Sequence, residues 1–301
     1  MDFFSAHQGE FYALFTAVFW TITALAFESA SIKVGSLAVN IIRLVIGLAF
    51  LSLYTFIARG RFLPLDAGAA SWFWLSLSGL IGFVLGDLFL FKSYTIIGSR
   101  FAMLIMSLVP PLTALLGKLI LGESINLISY LGMLLTLVGI ALAVLNRKTA
   151  SRTLSLKLSP KGLLYAFGGA FGQALGLVLS KLGMQEYDAF ASTQIRIIAG
   201  IFGFSVLVSF SRRWKKIFNS LLNISAMKNI TVGSFFGPFL GVSFSLLAVA
   251  YTATGIASTI MAIVPVLIIP PAILIYKQKV TRAEIMGAVI CVAGVAIFFI
   301  I

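Results

Sequence analysis

Asn40-Ile41-Ile42-Arg43-Leu44-Val45-Ile46-Gly47 returns about half a chain length later as Thr193-Gln194-Ile195-Arg196-Ile197-Ile198-Ala199-Gly200, with an arginine at the same place in each apolar run. Outward from that pair the correspondence continues. Tyr94-Thr95-Ile96-Ile97-Gly98 answers to Tyr251-Thr252-Ala253-Thr254-Gly255, and one common offset carries Pro110, Gly132 and Gly139 to Pro265, Gly287 and Gly294. The chain is two copies of one pattern, so whatever fold one copy takes, the other shares.

Each copy is too apolar for a water-soluble domain. Of the 301 residues, 60% are hydrophobic and 10% charged, and the mean hydropathy is +1.09; an ordinary soluble domain is roughly 25% charged. A spanning helix needs about 20 mainly apolar residues, and in lipid only helices or closed barrels satisfy their own backbone. The apolar runs are long and lack the alternation of barrel strands. The sequence therefore predicts an all-α integral membrane protein with helices over 10–28, 36–58, 70–91, 100–121, 125–145, 161–180, 189–210, 230–252, 256–276 and 282–301. These are ten transmembrane helices, five in 1–145 and five in 161–301, joined by a polar loop over 146–160. An odd number of crossings per copy makes consecutive copies enter the membrane in opposite senses, so the two five-helix repeats are inverted.

A net charge of +13 is of the size seen in nucleic-acid binders, but its placement argues against that partner. Arg147, Lys148, Arg152, Lys157 and Lys161 fill one inter-helix loop, and Arg212, Arg213, Lys215, Lys216 and Lys228 fill another. Such clusters orient a protein in the lipid bilayer. With Lys33, Lys92, Arg100, Lys277, Lys279 and Arg282 they fall on one face, against Arg59, Arg61, Lys118 and Lys181 on the other. By the positive-inside rule the basic face is cytoplasmic and both termini lie outside. Met1 to Glu10 has no basic residue to begin a cleavable signal peptide, so the first apolar segment is expected to remain as a helix. A single cysteine, Cys291, and a single histidine, His7, rule out an internal disulfide and argue against a protein-built zinc site. No cofactor is expected.

A charge at the centre of a spanning helix costs about 2.5–3.5 kcal/mol on insertion scales, so each one needs a partner, water or a role. Arg43 and Arg196 stand at matching depths. Either they reach the interface or neighbouring carbonyls through their long stems, or they line a central cavity; their recurrence in both copies favours one shared structural role. Asp87 sits late in the third span, in Gly82-Phe83-Val84-Leu85-Gly86-Asp87, where small residues let another backbone come close. Burial disfavours a charged carboxylate, which makes Asp87 a proton-coupling candidate, with pairing to Lys92 or Arg43 as the structural alternative. Glu28, at the expected end of the first helix, is the second such candidate. Lys181 ends the sixth helix, Gln173 lies two turns before it as a cavity candidate, and Glu123 in Leu121-Gly122-Glu123 has the setting of a turn and capping residue.

Prolines interrupt helices at corresponding places. Pro110 and Pro111 fall in the fourth span, Pro265, Pro270 and Pro271 in the ninth, and Gly237-Pro238 adds a kink in the eighth. Each proline removes a backbone hydrogen bond and frees a carbonyl, tolerable in lipid where protein or a wet cavity supplies a partner. Matched interruptions of duplicated bundles point to a substrate site between the copies, as in many secondary transporters. Trp20, midway along the first helix, needs a partner for its indole N–H and is a further cavity candidate, while Trp72 and Trp74 are placed as interfacial anchors.

Taken together, these residues resemble the EamA-type transporters of the drug/metabolite transporter superfamily. The resemblance rests on the arginine in the second helix of each repeat, on the block from Gly98-Ser99-Arg100-Phe101-Ala102 through Pro110 to Leu121-Gly122-Glu123, and on Gly132 and Gly139. The second copy departs from it, with Gln278 where the first has Glu123 and two residues fewer between Gly255 and Pro265. The resemblance implies alternating-access movement of a small metabolite such as an amino acid, nucleoside, sugar or toxic organic compound, often outward and proton-linked. It also implies both termini in the cytoplasm, opposite to the charge count. No Walker-type ATP-binding loop is present. A channel or a non-transporting scaffold is the alternative, and the oligomeric state is left open. An intramembrane aspartyl protease is disfavoured, because Val84 stands where its motif needs glycine and Tyr187-Asp188 follows rather than precedes Gly86-Asp87.

Overall fold

The computed structural model describes residues 3–145, 159–274 and 281–300, and among these there is no strand. Helix α1 spans Gln8–Val34 and ends at Gly35, whose φ of +86° is one that glycine adopts without penalty. Helix α2, Ser36–Arg59, starts at once, so the first reversal takes a single residue. Glu28 accordingly does not close α1, which runs six residues further than its composition suggested. Next, α3 (Ala69–Gly79) passes through a π-helical stretch, Leu80–Gly86, into α4 (Asp87–Met106).

The sequence placed a helix boundary between 91 and 100, and the structure does not: α4 crosses it unbroken. Polar residues such as Lys92 and Ser93 leave the backbone ladder intact, unlike proline. This run also lies along α7 (Pro160–Met184), where Gly162, Gly168 and Gly169 admit Ile96, Phe89 and Leu90.

The remaining elements are α5 (Val109–Leu116) with a π-helical end Gly117–Leu121, α6 (Leu127–Leu145), α8 (Ala189–Phe210), α9 (Trp214–Leu221), α10 (Ile224–Ser234) and a third π-helical stretch Phe235–Gly241. Then follow α11 (Val242–Tyr251), α12 (Thr254–Met261), α13 (Val264–Leu267), α14 (Ile269–Leu274) and α15 (Arg282–Ile297). Asp188 caps α8 by accepting from the Ala191 N–H, and Thr281 with Glu284 forms a capping box on α15. The small amphipathic α9, inside the second basic loop, was not anticipated.

Among the described residues, seven helical runs are long and apolar enough to cross a membrane: 8–34, 36–59, 69–90, 160–184, 189–210, 224–251 and 254–271. Val109–Leu121 and Leu127–Ala143 are apolar but shorter. Ten was the expected count; the break ahead of Pro110 is one reason fewer runs reach full length. Arg147, Lys148, Arg152, Lys157, Lys277, Gln278 and Lys279 lie outside the described residues.

The two halves interleave rather than stand apart. Helix α1 packs on α10 and α11 while α3 packs on α7, α2 meets α8, α5 meets α12, and α6 meets α15. The last contact is glycine-lined and crossed. A Cβ on Gly132 would stand 3.1 Å from the Gly294 carbonyl oxygen, and one on Gly287 would stand 2.7 Å from that of Gly139. The helices thus run antiparallel. Because the repeat carries Gly132 to Gly287 and Gly139 to Gly294, each glycine meets the counterpart of the other, as a two-fold axis requires. The same crossing occurs between α2 and α8, where Gly47 lies against Ile197 and Gly200 against Leu44.

Candidate functional site

The offset that carries Pro110 to Pro265 also carries two departures from α-helical geometry. Leu80–Gly86 and Phe235–Gly241, both π-helical, correspond residue for residue. The turns Ser107–Leu108 and Ala262–Ile263, which break the helix just ahead of each proline, correspond as well. Pro110 is buried and Pro265 half-buried, each in the first turn of the helix that restarts after the break. A π-helical turn shifts the hydrogen-bond register and often marks a functional site. Proline breaks were legible in the sequence; the π stretches were missed, although Gly82, Gly86, Gly237 and Gly241 share the common offset and could have signalled them.

The first π stretch gathers polar side chains. The Arg43 guanidinium donates to the Asp87 carboxylate in an ion pair, both side chains more than four-fifths buried. From α7, Gln173 Nε2 donates to the Gly82 carbonyl at 3.1 Å and to Asp87 Oδ1 at 3.2 Å. Asp87 therefore pairs with Arg43, the second of the two partners the sequence allowed. The Arg43 guanidinium also lies 5.5 Å from the centre of the Phe27 ring, a cation–π distance.

Arg196 approaches the same stretch from α8. Its guanidinium lies 4.8 Å from the Phe83 ring centre, and Nη2 is 3.8 Å from where a Cβ on Gly82 would be. Only 5% of Arg196 is exposed, its Nε is buried without a partner, and among the described residues no ion pair includes it. The two arginines, expected to share a structural role, differ in their partners: among the described residues Arg43 has a carboxylate and Arg196 has none. The reason is local. The offset of the π stretches carries Asp87 to Val242.

Trp20 corresponds to Gln173 by the offset that joins the arginines, and it occupies the corresponding place. A Cβ on Gly86 would stand 3.1 Å from Gln173 Nε2, and one on Gly241 would stand 2.6 Å from Trp20 Nε1. Four of the expected residues, Arg43, Asp87, Gln173 and Arg196, thus meet at one π stretch, and Trp20 lies at the other. Glu28 is exposed and joins none of the described hydrogen bonds.

A second polar group ties one end of the bundle. Lys181 Nζ donates to Glu123 Oε1 at 2.7 Å and to the Thr252 carbonyl at 3.0 Å, while Thr254 donates to Glu123 Oε2 from both its N–H (2.9 Å) and its hydroxyl (2.6 Å). Glu123 therefore caps α12 across the two halves. At the loop after α2, Asp66 accepts from Arg59 and Tyr187 and forms an ion pair with Arg61. Partial burial pushes its carboxyl up, but the Tyr187 hydroxyl, a backbone N–H and the two guanidinium groups together hold it below the usual carboxylate range. Among the described residues no group of three or more His, Cys, Asp or Glu side chains is placed to hold a metal.

Known proteins agree with this architecture. The model of a family described as EamA-like transporters matches residues 7–145 and again 160–300. No curated protein matches the chain. A solved structure titled only "Crystal structure of protein" shares the fold at a TM-score of 0.76 and 17% identity, covering 97% of this chain and 96% of that one.

Proposed function

The chain belongs to the EamA-like transporter family, and from that membership we propose that it is a secondary transporter moving a small metabolite by alternating access. It is a multi-pass membrane protein. In this reading residues 1–145 and 161–301 are inverted five-helix repeats joined by 146–160, and they rock about the crossed glycine contacts. The observation that carries the reading is the pairing of π stretches and proline breaks at common repeat positions, one of them holding Arg43, Asp87, Gln173 and Arg196. Irregular backbone at corresponding places in inverted repeats is where secondary transporters bind substrate. Purified protein in proteoliposomes is the test: saturable flux and counterflow for a member of a broad metabolite panel support a carrier, flux without saturation indicates a channel, and no flux from folded protein refutes transport.

Proton coupling through Asp87 is part of the proposal. Its carboxylate is nearly enclosed, so gain or loss of a proton there alters the Arg43 pair and the Gln173 bond together. Asp87→Asn protein that still concentrates substrate against an imposed pH gradient removes Asp87 from that role. We place the protein in the cell membrane with its basic face in the cytoplasm, where Lys33 bonds Ser225 and Lys216 lies beside Gly35. A reporter fused to the C-terminus then reads as outside; an inside reading follows the family habit instead.

A further inference from the structure

The asymmetry between the two arginines carries a statement about the substrate, and it rests on the transporter reading above. In the first half the repeat answers its own buried cation: Arg43 pairs with Asp87. In the second half the answering position is Val242, an apolar residue 8% exposed. Helix α11 does reach α8 at this level, since the Ser243 hydroxyl donates to Thr193 Oγ1 at 3.3 Å, one turn from Arg196. By repeat position, then, the second copy carries no carboxylate where the first has Asp87, and the Arg196 guanidinium lies instead beside Gly82 and Phe83 of the first π stretch.

A guanidinium held away from water with no counter-charge is destabilising, and such groups in membrane spans mark substrate pathways or ligand counter-ions. The surroundings of Arg196 suit a guest anion. Gly82 presents no side chain beside Nη2, and Gln173 holds the neighbouring carbonyl. The Phe83 ring backs the guanidinium, leaving its edge as the hydrogen-bonding side. Asp87 is already engaged by Arg43 and Gln173. A planar guanidinium binds a carboxylate through two parallel N–H···O bonds.

We propose that Arg196 is a substrate-binding residue that receives the carboxylate of the transported molecule, the guest supplying the counter-charge that Val242 does not. The transported class is then small carboxylates, zwitterions included.

The test reads binding separately from transport. Thermal stability of the purified chain is measured at constant ionic strength with acetate, lactate, leucine and succinate, each beside its methyl ester. At least one acid should raise Tm where its ester does not. Arg196→Gln, checked for folding by gel filtration, should lose the acid-specific shift, and Arg196→Lys should keep a weaker one. The proposal is overturned if no acid differs from its ester, or if folded Arg196→Gln protein responds to the acid as the parent does. Acid-specific stabilisation without flux supports the site and refutes the transporter reading; saturable flux of the esters alone, indifferent to Arg196→Gln, supports transport and overturns the site.

Discussion

A Cβ on Gly139 would stand 2.6 Å from the carbonyl oxygen of Gly287, so α6 and α15 touch through bare backbone. Small residues allow this approach, and in lipid it is close packing that drives helices together. Gly139→Leu and Gly287→Leu should each cost about 1–3 kcal/mol or more by overpacking, lowering Tm and flux together. Gly68→Ala, with open space around it, should stay within about 0.5 kcal/mol of the parent. Equal melting temperatures for all three would contradict the contact.

The Arg43–Asp87 pair predicts strong non-additivity. Removing either partner alone strands a largely buried charge, at a cost of about 3–5 kcal/mol. Arg43→Gln combined with Asp87→Asn removes both and should cost clearly less than the sum of the single changes. A double-mutant cycle on Tm or denaturant midpoints measures the coupling, and simple additivity would mean the groups do not interact.

At Glu123 two functions can be separated. Glu123→Gln keeps an acceptor for the Thr254 N–H but gives up the ion pair with Lys181, whereas Glu123→Ala gives up both. The second change should be worse by about 1 kcal/mol, the usual worth of a helix cap. Lys181→Met should add little on top of Glu123→Ala, and the two midpoints compared by urea unfolding decide it.

Acid stability should depend on Asp66. Its folded-state carboxyl titrates below the ordinary value, so its contribution is present above the unfolded value of about 3.9. That contribution is lost as the pH falls through the folded value. Asp66→Asn should therefore flatten the decline of Tm below about pH 4 and lower Tm at neutral pH. A parallel decline in both proteins would disconnect Asp66 from acid stability.

The helical membrane architecture, the duplication and the two arginines were legible because each rests on composition or on residues repeated at a fixed offset. Proline breaks were legible for the same reason, since proline acts on its own backbone. What escaped depends on neighbours. Whether Lys92 and Ser93 end a helix is decided by the glycines of α7 that receive the continuing run, and the π register of Leu80–Gly86 by contact with Gln173. The lone state of Arg196 was within reach, because carrying Asp87 forward by the proline offset lands on Val242 and leaves the second copy without a carboxylate at that position. Nothing in the sequence set α9 apart from the basic loop that contains it.

The seam between α6 and α15 offers the same two glycines from both sides. A half-length ancestor would already have carried every feature that contact needs, provided some molecules entered the bilayer upside down. Gene fusion then added a tether and a fixed stoichiometry rather than an interface, and it freed each half to drift, as Val242 at the repeat position of Asp87 illustrates. The present chain should accordingly still assemble when cut within 146–158 and expressed as two pieces.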